Sequence, residues 1–358
     1  MCKDESYFYE MLNDVKQKIL ILGENSYILK ALENNLLNEI ESDIKSKPEN
    51  ELEHSLYPPL FLFVYRNNIN ALKELEKDIQ LIKIKSTKKS FNDLINFLQA
   101  KSKETRKWAS HLFELSIKSI LLKKFSNELI EFDKKLPNEK DIDASLNLNN
   151  QIINFEVTLL SSSNYDYNAY NKYVEELKNN PHAVFMRPGK YYENYPNCPL
   201  LKYDEFRVLR KVYDKITDEE LNIDKSKMSE DQINILLLFI GDSISPLQYS
   251  PGIGWAFDEL FADQPKGNEN DFIKWINIEI NNLKLDHKWY CENLDKVIFA
   301  PRKLSGVIIF NGCNGDIIES RVNYNAHNKN KISHKLMAEV EEIFKEMPIY
   351  ISQKQWGN

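Results

Sequence analysis

Apolar positions recur at three- and four-residue spacing through the first hundred residues, a pattern that predicts helices. Phe8, Met11, Leu12, Val15 and Ile19 mark one helix, which Gly23 ends. Asn25 or Ser26 can cap a second, running through Ile28, Leu32, Leu36, Leu37 and Ile40. A polar loop follows over Lys47–Glu53. After Pro58-Pro59 the run Leu60–Tyr65 fits a strand or a helix; Asn70–Ile79 is helical, and Ser90 caps Phe91–Gln99. The stretch has no repeat and no chemistry-bearing constellation, so residues 1–100 read as a helical region for packing or oligomerisation.

The pattern then changes. A helix over Glu104–Phe125 buries Trp108, Leu112 and Leu115 on one side, and Phe113, Ile117, Ile120 and Leu121 on the other. Three extended runs follow: Glu128–Asp133, Asp141–Leu148 and Ile152–Leu160. The breaks LPNEK and NLNNQ separate them, so the last two read as a hairpin. A helix spans Tyr203–Ile216, and the continuous apolar run INILLLFIG at 233–241 suits a buried central strand. Short helices are expected in GWAFDELF and over Asn268–Leu283, strands that extend the sheet at Val297–Ala300, Ser305–Asn311 and Ile317–Val322, and a helix over Ile332–Glu346. The expected class is α/β, with the helical region over 1–100 and one domain with insertions over 101–358.

Bulk charge narrows the partners. A net charge of −7 over 358 residues argues against tight nonspecific binding of nucleic acid across the whole surface, because phosphate contacts need local Lys and Arg. It leaves room for a basic cleft. The four cysteines show no CxxC spacing, so reduced thiols are expected, without disulfides or zinc. The acidic start MCKDESYFYE is no Sec-type signal, and the run LYPPLFLFVY is too short to span a bilayer. A cytoplasmic protein without a membrane partner is expected.

Candidate chemistry gathers around three carboxylates. Glu114 lies in the gap between the two apolar stripes of its helix, on the face of His111 and Lys118. It is either an exposed Glu114–Lys118 pair or part of an edge facing a cleft. Period-two geometry sends Asp141, Asp143 and Ser145 to one face of their strand, and Glu156 and Thr158 to one face of the next. Two carboxylates on adjacent strands, with the backbone carbonyl of Val157 between Glu156 and Thr158, form an oxygen-rich set suited to Mg²⁺ (or Mn²⁺).

Helix-Glu, strand, D(143)ASL and FE(156)VT, in that order, resemble the core of the PD-(D/E)xK nuclease superfamily, which includes restriction-endonuclease-like and Holliday-resolvase-like enzymes. The resemblance covers about residues 104–241 and follows the family's αβββαβ element order. Two positions depart from the motif: Ile142 stands where the family has proline, and Thr158 where it has lysine. That lysine orients or activates the attacking water. A threonine hydroxyl can orient a water but takes no proton at neutral pH, and a lysine supplied from the following helix is a family variation. The resemblance implies a restriction-endonuclease-like core and a metal-dependent nuclease, with phage defence or another restriction-like role as its natural setting. Asp143, Glu156 and the Val157 carbonyl would hold Mg²⁺ (or Mn²⁺). Glu114 would bind a second metal or orient waters. Thr158 and Lys211 would complete the catalytic set, and Arg207, Lys211 or Lys215 would contact the scissile phosphate. The implied partner is nucleic acid, DNA ahead of RNA; dimerisation is a family tendency that the N-terminal helices could serve.

Two basic segments bear on that partner. In RPGKYYENYPNCP, Arg187 and Lys190 interleave with Tyr191, Tyr192 and Tyr195, a mixture suited to phosphate contact and base stacking, or simply a proline-ordered surface loop. Arg207, Lys211 and Lys215 fall at i, i+4 and i+8 on one helix face, a binding face or a solvated one. Two alternatives stand beside the nuclease. One is a nuclease-fold protein that only binds nucleic acid, as a regulator or scaffold, because Thr158 replaces the lysine. The other starts from FIGDSISP, which resembles the opening block of GDSL-type lipases and esterases and would make Ser243 a nucleophile. The downstream DxxH of those hydrolases is absent around His287, His327 and His334, and only 115 residues follow Ser243.

Overall fold

The N-terminal stripe buries as its periodicity predicts: Phe8, Met11, Leu12, Val15 and Ile19 all lie in the core. They belong to helix α1 (Glu5–Leu22), which ends at Gly23 with φ 87°, a left-handed conformation that glycine adopts without strain. The computed structural model describes residues 5–33, 36–47, 58–85, 91–92, 96, 105–161, 172, 176, 180, 182, 200–217, 221–222, 226–241, 250–263 and 271–351. Arg187, Lys190, Tyr191, Tyr192, Tyr195, Ser243 and most of the helix expected at 91–99 lie outside them.

The single second helix expected from Ile28 to Ile40 is two, α2 (Tyr27–Glu33) and α3 (Leu36–Ser46). Its apolar positions Ile28, Leu32, Leu36 and Ile40 are nevertheless all buried. The start of α2 is capped twice. Ser26 Oγ accepts the Leu29 N–H at 3.0 Å, and the buried Glu76 carboxylate accepts those of Ile28 (2.7 Å) and Tyr27 (3.1 Å). The ambiguous run at 60–65 is helical, as α4 (Pro59–Arg66), with proline in its first turn where no N–H is needed. Helix α5 (Ile69–Lys85) follows, and Phe91, Asn92 and Asn96 beyond it are helical.

Next come α6 (Thr105–Lys124), β1 (Ile130–Lys135), β2 (Asp141–Leu148), β3 (Gln151–Leu160), α7 (Leu200–Ile216) and β4 (Ile233–Ile240). Helices α8 (Pro251–Leu260), α9 (Asp271–Asn282) and α10 (His287–Phe299) follow, then β5 (Gly306–Asn311), β6 (Ile317–Val322) and α11 (His334–Phe344). The fold is mixed α/β. Its six-stranded sheet has the order β1-β2-β3-β4-β5-β6. The pairs β1–β2, β2–β3 and β5–β6 are antiparallel; β3–β4 and β4–β5 are parallel. The β2–β3 hairpin closes through Asn149 and Asn150 at φ 52° and 64°, the left-handed pair that a tight two-residue turn requires. The strand expected at 297–300 is instead the end of α10 and the start of a 3-10 turn over Ala300–Lys303. Four apolar residues are too few to carry a period, and the Asp286 cap, which accepts the Lys288 N–H at 2.9 Å, starts a helix that runs through them.

Alternation divides the sheet's two faces. Ala144, Leu146, Phe155, Val157, Leu237, Phe239 and Phe310 pack toward α6, α11 and the N-terminal helices, all in one continuous cluster. Leu160, Leu236, Leu238, Val307 and Ile309 pack toward α7, α8, α9 and α10. Phe239 stacks on Phe113 of α6 at 4.1 Å and on Phe310 at 4.6 Å, fixing α6 over the central strands. No helix among the described residues is long and apolar enough to cross a membrane.

Candidate functional site

The β2–β3 pairing runs from Leu148↔Gln151 to Ala144↔Phe155. Continued by one residue, that register sets Asp143 opposite Glu156, both on the face turned to α7. There the ladder gives way to a side chain: Asp143 Oδ2 accepts the Val157 N–H at 2.7 Å. The other edge of β2 is disturbed at the same level. Phe132↔Ala144 and Lys134↔Ile142 are paired, while Asp133, between them and across from Asp143, takes φ 50°. Aspartate is among the few residues that tolerate this conformation. It delivers the Asp133 carboxylate to Lys118 Nζ at 2.9 Å.

Two ammonium groups converge on one oxygen of Glu156. Lys215 Nζ, from the last turn of α7, lies 2.5 Å from Oε1, and Lys227 Nζ lies 3.2 Å from the same atom. Glu156 is 2% exposed, and its Oε2 is buried with no hydrogen-bond partner among the described residues. Lys227 sits in the loop before β4, on a segment tied down on both sides. Its N–H donates to the Lys215 carbonyl at 2.9 Å, and Asn138 Nδ2 donates to the Ser226 carbonyl at 2.8 Å. Glu114 takes Lys118 at 2.6 Å and His111 at 3.5 Å.

The electrostatics follow from burial and crowding. Loss of solvent, reinforced by the charges of Glu156 and Glu114, pushes Asp143 up to about 8 against the pull of Lys215 and Lys227. Burial works against the Glu114 charge too, but the His111 hydrogen bond and the Lys118 ammonium hold it at about 2. Lys215 is desolvated, yet the carboxylates of Glu156 and Asp143 outweigh that and raise it above the ordinary lysine value.

Glu114, Asp143, Glu156, Val157 and Lys215 therefore meet in one neighbourhood, with Val157 contributing its N–H to Asp143. The Glu114–Lys118 pair anticipated as exposed is formed, but Lys118 is buried and shared with Asp133. Thr158 is buried one step along β3 on the Glu156 face, paired with Leu238 of β4. Arg207 turns to the Ser161 carbonyl and to Asp204, anchoring the end of β3. Lys211, one turn before Lys215, is exposed. Lys227 escaped the sequence reading: it lies in a charged loop without periodicity, and only the return of that loop onto Lys215 brings it in.

A buried polar row supports the cluster two residues along the strands. Ser145 Oγ donates to Asn154 Oδ1 at 2.7 Å, Asn154 Nδ2 to Asn234 Oδ1 at 3.1 Å, and the Asn234 N–H to Ser305 Oγ at 2.7 Å. This satisfied chain spans β2 to the entry of β5 and resists a register slip under the carboxylates. Elsewhere, Glu205, Glu259 and Asp271 bring carboxylate oxygens within 4.8 Å of one another, a spacing the Glu114, Asp143 and Glu156 set does not reach. Lys202 bridges two of those three, at 2.8 Å from Glu205 and 2.6 Å from Asp271, so that group already holds a resident cation.

No protein-family model matches the chain, nor does any curated protein or solved structure.

Proposed function

We propose that the chain is a metal-dependent nuclease with a restriction-endonuclease-like core, hydrolysing phosphodiester bonds of nucleic acid, DNA ahead of RNA. One observation carries the reading: Asp143 and Glu156 face each other across the hairpin, and a lysine from the helix after β3 stands on Glu156. Lys215 thus supplies the cation that Thr158 cannot. The order α6-β1-β2-β3-α7-β4 supports it, since it repeats the αβββαβ arrangement of the family the motif resembles.

The residues fit Mg²⁺ or Mn²⁺. A buried carboxylate oxygen without a hydrogen-bond partner among the described residues, Glu156 Oε2, belongs to the strand next to that of Asp143, and oxygen donors are what these ions take. Asp143 and Glu156 would hold the ion, which would supply Lewis acidity and an activated water. Lys215 keeps its proton at neutral pH because its carboxylate neighbours stabilise the charge. It therefore stabilises negative charge on the phosphate or orients the attacking water, rather than removing a proton. Glu114, ionised and held by Lys118, adds the negative charge that a cation relieves.

The test is cleavage of labelled single- and double-stranded DNA and RNA with Mg²⁺ or Mn²⁺, using wild type, Asp143→Ala and Glu156→Ala. Metal-dependent cutting that falls by about 100-fold or more in both variants is expected, the scale for losing a preorganised electrostatic contact. A folded wild type that binds nucleic acid without cutting it would replace this reading with the binding-only one. Wild type that neither binds nor cuts would remove both.

A further inference from the structure

We infer that Lys227 is a substrate contact of this site, the residue that holds a phosphate oxygen of the bound nucleic acid; the inference rests on the nuclease reading above. Three observations carry it. Lys227 is not a free surface lysine, because its own N–H is bonded to the Lys215 carbonyl at 2.9 Å and its neighbour Ser226 is held by Asn138 at 2.8 Å. Its ammonium shares Glu156 Oε1 with Lys215, so Glu156 has two cationic partners where one would balance it. Of the two side chains it is the more open, 31% exposed against 19% for Lys215.

Charge balance then sets the role. In the described arrangement the two ammonium groups share one oxygen of Glu156, beside the carboxyl group of Asp143. With a divalent cation also held by Glu156 and Asp143, their charge no longer balances both lysines, and the site carries an excess of positive charge that an incoming anion must answer. A phosphodiester is such an anion. Lys215, the deeper group, stays beside Glu156. Lys227, the more exposed of the two and fixed by its backbone, turns to the substrate, and as a compact point charge it suits a phosphate without specifying a base. Every atom for this is in the chain except the phosphate and the ion.

The experiment measures binding of a labelled oligonucleotide to the full chain with Ca²⁺ in place of Mg²⁺, over a series of salt concentrations, beside Mn²⁺ titration and cleavage. Wild type, Lys227→Gln, Lys227→Arg and the exposed control Lys288→Gln are compared, with thermal melts to confirm folding. Losing one phosphate contact lowers the slope of log affinity against log salt by about 0.7 for single strands or 0.9 for duplex. That drop is expected in Lys227→Gln alone, together with at least about tenfold slower cleavage and Mn²⁺ affinity no weaker than wild type. Lys227→Arg is expected to restore the slope. An unchanged slope in Lys227→Gln overturns the inference. So does a parallel fall in Mn²⁺ affinity and activity, because Lys227 would then act by positioning Glu156. If wild type cuts and Lys227→Gln cuts and binds identically, only this inference fails. If wild type binds without cutting, the slopes still decide it. If wild type neither binds nor cuts, the nuclease reading fails and takes this one with it.

Discussion

Asp143 carries the heaviest electrostatic load of the cluster, and the load has a sign. Its folded value is pushed up to about 8 from an ordinary 3.8, so the folded chain keeps a proton that the unfolded chain has lost. Stability of the metal-free protein must then fall as pH rises between those values. Glu114 does not mask this: held at about 2, its contribution is complete above its ordinary 4.5 and constant at neutral pH. His327, lowered by burial and by Arg302 and Lys303, works the other way, but only up to its ordinary 6.5. Thermal melts in chelator between about pH 7 and 8 are therefore expected to show wild type losing on the order of 1 kcal/mol per pH unit, a slope that Asp143→Asn flattens. Identical slopes in the two proteins would sink the assignment. At this scale the sequence was partly legible. Period two places Asp143 and Glu156 on matching faces, and helical spacing offers Arg207, Lys211 and Lys215 together. Which of the three reaches Glu156 is set by how α7 beds its buried Val208, Leu209, Val212 and Tyr213 into the sheet, and no spacing along the chain reports that.

Elements were more legible than contacts. The bounds of β2 and β6 agree with the pattern to the residue, and β4 does to within one, because alternation, a long apolar run and an Asn-Asn turn are local signals. The run at 297–300 misled because helix and strand look alike over four residues, and the helix around it was set by a cap eleven residues earlier. Packing between element ends is invisible to such patterns. Just past β5, the Gly312 N–H donates to the Ile240 carbonyl at 2.9 Å, and a Cβ added at Gly312 would lie 1.7 Å from the Gly241 carbonyl oxygen. Backbone, unlike a side-chain tip, cannot swing aside. Gly312→Ala is expected to part the ends of β4 and β5 and to cost about 3 kcal/mol, the upper range for overpacking, as read from the urea midpoint. A midpoint within error of wild type would mean the two loops yield easily.

Across the whole molecule, Asp78 joins distant parts. Its carboxylate, 1% exposed on α5, accepts from Ser119 Oγ at 2.8 Å and Tyr350 Oη at 2.9 Å, and pairs with Lys123 at 2.7 Å. Removing it strands a buried hydroxyl pair and half of an ion pair. Asp78→Ala should destabilise by about 3 kcal/mol, against about 1 kcal/mol for Tyr350→Phe. Both should unfold in one urea transition if the shared core makes the N-terminal helices and the sheet a cooperative unit; a separate early transition in Asp78→Ala would refute that. The same knot has a bearing on the order of synthesis. Asp78 and its partner Tyr350 are 272 positions apart, and Met347 and Ile351 also fill that core. The helix that carries Asp78 thus cannot finish packing until the 272 positions up to Tyr350 have been translated. If the site is the nuclease proposed above, a foundation that locks this late keeps it unassembled on the ribosome, beside the messenger that encodes it.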